Sequence, residues 1–237
     1  MAFGRSLFGR QRLGDAGAVP GAGVVFDAAV SSGYKAAQSN YSFNHTVTTQ
    51  ANRFLEVCVS LFAAGTVSGI TYNGVALTQN ASATVTNGVY RNETWYLIAP
   101  ATGVNSVAVT LSGLTTSSSD AASYYNTDQQ KPIEATATNS GTNTPATVSV
   151  TTITSGAMVT GHLDVMTASG VTSATGQNSR SSGSGALGSS LLDDKGPVST
   201  PAATTLTWNN IGVTDVWAAS AMSIKPPTFE LMGQSWF

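Results

Sequence analysis

The stretch "RFLEVCVSLF" constrains the fold of this chain more than any other feature. Leu55, Val57, Val59 and Leu61 alternate with Glu56, Cys58 and Ser60. That period of two sorts side chains onto opposite faces of a half-buried strand and fits no helix. In "GITYNGVALT" the Asn73-Gly74 pair stands between two β-rich arms and suits the positive φ angles of a two-residue type I′ turn. "VYRNETWYLIAP" reads as a long strand, with Val89, Arg91, Glu93, Trp95 and Leu97 on one face and Tyr90, Tyr96 and Ile98 on the other. Pro100 stops it. "NSVAVTLSG" gathers Val107, Val109 and Leu111 and ends at Gly113. "ATVSVTTI" and "GAMVTGHLDVM" follow, joined by Thr154-Ser155-Gly156, and "DVWAASAMSIK" ends against Pro226-Pro227, which cannot continue a ladder. Residues 167–203, rich in Ser and Gly, read as a long loop region with one short edge strand. No segment sustains a helical period and no repeat of fixed length recurs. About eight to ten short strands separated by turn signals predict an all-β, antiparallel β-sandwich.

Composition decides whether such a chain folds at all. Charged residues are 9% of the 237, against about 25% in an average soluble domain. Hydrophobic residues reach 41% with a net charge of −2, which argues against disorder. Cys58 is the single cysteine, so no internal disulfide framework exists. No run approaches the ~18 apolar residues of a membrane-spanning helix, so no membrane partner is expected. The opening "MAFGRSLFGRQRL" lacks the unbroken apolar core of a secretory signal; its acid-free arginines also fit an organelle transit peptide.

Charge is unevenly placed. Arg5, Arg10 and Arg12 are three of ten cations, set among Phe3, Leu7, Phe8 and Leu13. Apolar anchors and guanidinium forks in a glycine-rich segment are the makings of an arm that gains order in a partner's groove. The tail "PPTFELMGQSWF" carries Phe229, Leu231, Trp236 and Phe237, costly to leave in water. The expected organisation is an extended docking arm (1–23), a β-sandwich domain (24–226) and a C-terminal docking tail (227–237).

The order of motifs across residues 24–226 resembles a β-sandwich module of bacteriophage virion proteins and bacterial surface proteins. The resemblance rests on Phe26-Asp27 and Ser32-Gly33, His45-Thr46-Val47, Asn52-Arg53-Phe54-Leu55 and the hairpin from Ile70 to Thr78. It continues through Trp95-Tyr96-Leu97 with Pro100, Asp128-Gln129 with Pro132-Ile133, and Trp217-Ala218 leading to Ile224-Lys225-Pro226. It implies a jelly-roll-like sandwich used as a structural or adhesive module on the exterior of a virion, as a capsid decoration, head fibre or tail accessory. Other virion proteins and further copies of the chain would be its partners, and no catalytic residue carries over.

The residues agree with a non-enzymatic reading. No strand carries two or three acids on one face, as a jelly-roll glycosidase needs; Arg53, Glu56, Arg91 and Glu93 are expected to pair across strands at a rim. No G-x-S-x-G elbow precedes a helix. His45 and His162 lack ligands at metal spacing, and Asp193-Asp194 lacks the calcium-loop pattern, which leaves it a solvated loop. Neither cofactor nor metal is expected. Seven dispersed cations in the β-domain leave no basic stripe for nucleic acid. The alternative is a lectin-like adhesin that stacks a host glycan on Tyr72, Tyr124, Tyr125 and Trp208. Against it, Trp95 and Trp217 are expected to fill the core while the tyrosines cap its ends.

Overall fold

The computed structural model describes residues 22–227 apart from 63, 89, 143, 168 and 169, and there the alternating segments pair into three antiparallel sheets. The candidate docking residues Phe3, Arg5, Leu7, Phe8, Arg10, Arg12, Leu13, Phe229, Leu231, Trp236 and Phe237 lie outside the described residues. The first sheet holds β1 (Val25–Ser31), β2 (Lys35–Val47), β3 (Phe54–Leu61), β4 (Val67–Tyr72), β5 (Val75–Ala76), β6 (Thr78–Gln79), β7 (Val85–Asn87), β8 (Tyr90–Ile98) and β9 (Gly103–Tyr125). The second runs in the order β10 (Ile133–Gly141), β17 (Trp217–Ile224), β12 (Ala157–Val165), β15 (Gly188–Val198), β14 (Asn178–Gly185). The third runs β11 (Ala146–Thr151), β16 (Ala203–Asn209), β13 (Thr172–Ser173). The hairpin between β4 and β5 turns at Asn73 (φ 49) and Gly74 (φ 77), both positive as a type I′ turn requires.

The first sheet makes a sandwich by folding over itself. β9 does not stop at Gly113, as its sequence suggested, but runs on to Tyr125. Register shifts against β2 near Gln38 let it bend there, as bulges do. Its first half pairs with β2 and β4, its second with β1 and β3. His45 of β2, paired with Asn105, reaches Ser123 Oγ at 3.0 Å, and the hydroxyls of Tyr41 and Ser119 meet at 2.6 Å. The two halves of one strand therefore lie one over the other. Between them Leu55, Val57, Leu61, Ile70, Val109 and Trp95 form an apolar core.

A second sandwich closes between the second and third sheets. Leu163, Val165 and Trp217 pack against Val148, Leu206 and Trp208. Gly161 allows the approach, since a Cβ there would stand 2.3 Å from Leu206 Cδ1. Trp95 and Trp217 thus fill cores, as the sequence suggested, and Cys58 is buried.

The two sandwiches then stack, and here the sequence misleads. β3 is not half-buried: Glu56, Cys58 and Ser60 are as enclosed as the leucines and valines between them. Their face meets Thr160, His162, Asp164, Ser190 and Ser220 of the second sheet, all buried too. Residues 167–203 are likewise no loop, for they contain β13, β14 and β15. β14 reads as a linker because its serines and glycines occupy a sheet edge. In β15 both faces are covered, so Leu191-Leu192 and Asp193-Asp194 occur as doublets instead of alternating. Asp193 and Asp194, expected in a solvated loop, are fully buried.

The first and last described segments of the chain meet at one corner of the stacked sandwiches. Asn126 Nδ2 donates to the carbonyls of Ala22 and Gly23 at 2.6 and 2.9 Å, and Val24 N–H donates to Gly156 O at 2.8 Å. A Cβ built on Gly156 would touch Gly23 Cα at 2.9 Å and Pro226 Cγ at 3.4 Å. The segment entering β1 and the segment leaving β17 are therefore neighbours.

Candidate functional site

Among the described residues, two places gather chemistry-bearing side chains: the seam between the sandwiches and a cleft in the second one. The seam holds three clusters. In the first, His162 Nε2 and Asp120 Oδ2 lie 3.1 Å apart, Ser190 Oγ donates to the same oxygen at 2.6 Å, and Ser181 Oγ donates to Oδ1 at 2.7 Å. Burial alone would raise the Asp120 carboxyl; the hydrogen bond and charge of His162, with the two hydroxyls, outweigh it and hold the group below its usual range. In the second, Cys58 Sγ and Thr160 Oγ1 donate to Glu56 Oε1 at 3.2 and 3.1 Å, while Oε2 has no partner. Burial pushes Glu56 up to about 7 and the Cys58 thiol well above its ordinary value. In the third, Arg180 grips Asp194 through two hydrogen bonds of 2.6 and 2.9 Å and lies 3.8 Å over the Phe26 ring.

Serine, histidine and aspartate in one cluster invite comparison with a hydrolase triad, and the geometry refuses it. A triad needs the imidazole between the hydroxyl and the carboxylate. Here Ser190 donates to Asp120 itself, His162 turns Nε2 to the same carboxylate, and Nδ1 has no partner. All three residues are fully enclosed, so no substrate carbonyl can reach the hydroxyl. Cys58 is shut in the same way, and desolvation keeps it a thiol. The seam is a polar weld.

The pairs expected at a rim are absorbed as well. Glu93 is buried, accepting from Arg91 Nε at 2.7 Å, Gln79 Nε2 at 2.8 Å and Val67 N–H at 3.2 Å. Glu56 has no cation beside it, and Arg53 donates to the carbonyls of Pro100 and Gln50. His45 is also enclosed, and burial lowers it to about 4. Asp164 is the extreme case: the backbone N–H groups of Arg91 and Leu61 turn toward it but stop short of good hydrogen-bonding geometry, and burial raises it far above the carboxylate range. Among the described residues, no three His, Cys, Asp or Glu side chains are grouped to hold a metal ion.

The aromatic residues considered for glycan stacking require correction. Tyr72, Tyr124 and Trp208 are 0% exposed and offer no face to a sugar. The Tyr72 hydroxyl receives Asn105 Nδ2 at 3.3 Å and donates toward His45 O, and Tyr124 donates to Asp194 at 3.5 Å. Only Tyr125, half-buried at the end of β9, keeps part of its ring in solvent. Tyr72 and Trp208 belong to the apolar cores of the first and second sandwich, and Tyr124 is covered where the two sandwiches meet.

The open site lies elsewhere. A cleft of about 470 Å³ separates β13 from the edge strand β14 and is walled by Thr172, Ser173, Ser179, Ser182, Ser184 and Leu191 among others. Sequence reasoning missed it because its strands lie in the stretch taken for a loop; the serines of "NSRSSGSG" were the available signal. Behind it Asp193 accepts from Gln177 Nε2 at 2.5 Å through Oδ2, and its Oδ1 has no partner. Burial raises this carboxyl despite the donors of Ser173, Gln177, Ser179 and Trp208 turned toward it. The hydroxyl of Ser173 and the indole N–H of Trp208 nonetheless stop short of hydrogen-bonding geometry. Compared with protein-family models, curated proteins and solved structures, the chain matches none of them.

Proposed function

We propose that this chain is a non-enzymatic structural protein of a bacteriophage virion. It would serve as an exterior capsid decoration, head-fibre or neck/tail accessory subunit, docked through its two ends beside other virion proteins and further copies of itself. The motif order over residues 24–226 supports the class. The observation that carries the docking is the shared corner at Gly23, Gly156 and Pro226. Arm and tail that start side by side can engage one site together, and the second contact is then strengthened by proximity. A welded pair of sandwiches suits this role, because it holds its shape while its ends bind. Removing residues 1–20 is expected to leave a folded, soluble module that no longer enters particles. Unchanged incorporation would overturn the reading.

A second reading, attachment to a surface glycan, is favoured by one observation: the open, hydroxyl-walled cleft between β13 and β14.

A further inference from the structure

We propose that the cleft between β13 and β14 is a binding site for a neutral saccharide, held by serine and threonine hydroxyls. The inference deepens the glycan reading above and does not depend on how the chain ends dock. A volume of about 470 Å³ falls within the ~300–1,000 Å³ of small-molecule sites, yet such sites are mostly apolar and this one is not.

The register of β14 on β15 explains the difference. Ser179 pairs with Asp193, Ser182 with Leu191 and Ser184 with Ser189, so these hydroxyls share one face of the edge strand. Thr172 and Ser173 of β13 approach from the third sheet. Thr172, Ser179, Ser182 and Ser184 are exposed. No charged side chain lines the cleft, so neither an anion nor a cation finds a counter-charge. A hydroxyl both donates and accepts, and a wall of such groups suits a ligand whose own groups are hydroxyls. Val171, half-buried in the wall, gives the C–H face of a sugar ring an apolar rest.

A second observation points the same way. Buried polar atoms are nearly always satisfied in folded proteins, and an orphan costs about 1–3 kcal/mol. Three orphans meet behind this wall: Asp193 Oδ1, Ser173 Oγ and Trp208 Nε1. Ser173 belongs to both sets, lining the cleft and turning toward Asp193. The Ser173 hydroxyl is itself enclosed and faces Asp193, so a ligand seated against this residue does not bond that hydroxyl but presses it the short way it needs to hydrogen-bond the carboxylate. Asp193 is fully buried and acts as a positioning residue, fixing the serine without touching the sugar.

The test is a calorimetric titration of the full chain with neutral mono- to tetrasaccharides of glucose, galactose, mannose and N-acetylglucosamine, and with sulfated forms of the same sugars. Saturable binding of a neutral member is expected, stronger than its sulfated form. Filling the cleft by Ser182→Trp with Ser184→Trp should cost about tenfold or more in affinity and leave the melting temperature unchanged. Thr205→Trp, on the exposed side of β16, should change neither. If sugar binds and the filled cleft binds it equally, the cleft is not the site and the glycan reading survives alone. A preference for the sulfated form overturns the neutral-ligand assignment. If no sugar binds the unaltered chain, both the inference and the glycan reading fall.

Discussion

The apolar core of the second sandwich and the seam between the two sandwiches are equally dry, yet they are built from opposite materials. The first is Leu, Val, Ala and Trp. The second sets Glu56, Asp120, His162, Asp164 and Asp194 beside serines and threonines at essentially zero exposure, next to an apolar cluster of its own that includes Phe54, Tyr124, Met158, Leu192, Met222 and Ile224. Apolar packing is non-directional and stabilises in proportion to area. A buried ion or hydroxyl returns little net stability, because desolvation consumes most of the attraction, but it is intolerant of misplacement. The cores hold each sandwich together; the seam dictates how one sits on the other.

If that division is right, the heaviest loss should come from the core. Trp217, 2% exposed, packs within the second sandwich, and Trp217→Ala should cost about 5 kcal/mol by urea unfolding, the upper end of the range for such truncations. A cost near 1 kcal/mol would mean that this core is not where stability resides. Asp120→Ala should cost somewhat less, about 3–4 kcal/mol, by leaving His162, Ser181 and Ser190 without their acceptor. The comparison sharpens with Asp120→Leu and His162→Leu together. Replacing both partners by apolar groups should cost less than removing Asp120 alone, because nothing charged is left stranded. Costs that simply add would make the seam a source of stability in its own right.

The same contrast separates what the sequence revealed from what it hid. The core-facing strands were legible, since Leu55, Val57, Val59 and Leu61 point where a period of two puts them. The seam was not, although its alternation is equally plain. Thr160, His162 and Asp164 alternate with Val159, Gly161, Leu163 and Val165, just as Glu56, Cys58 and Ser60 alternate with the apolar residues of β3, the strand whose pattern suggests one wet face. Polar side chains announce a face but not whether water or another sheet covers it. β14 and the cleft stayed hidden for a related reason, because an edge strand of serine and glycine carries no burial signal. The chain-end corner depends on Asn126 and Gly156, far apart in sequence from the residues they hold, and no local pattern marks them.

The smallest effect isolates a single seam residue and reads the contrast through pH. Glu56 has an ordinary carboxyl value of 4.5, raised to about 7 in the fold by burial. Below pH 4.5 the group is protonated in both folded and unfolded chains, and it contributes no pH dependence. Between 4.5 and 7 the unfolded chain releases the proton while the folded chain keeps it, so stability falls as pH rises. The loss over that window is about 3 kcal/mol, at 1.36 kcal/mol per unit, and above pH 7 it levels off. Glu56→Gln cannot titrate, and its carbonyl can still accept from Cys58 and Thr160. Whatever constant cost the new amide brings, its stability relative to the unaltered chain should climb by about 3 kcal/mol between pH 4 and pH 7.5. Asp164 and Asp193, raised in the same direction, contribute to both proteins and cancel in the difference. Chemical unfolding at half-unit steps measures that difference directly. A flat line would mean that water reaches Glu56 in solution, and a seam that admits water cannot set how the sandwiches sit.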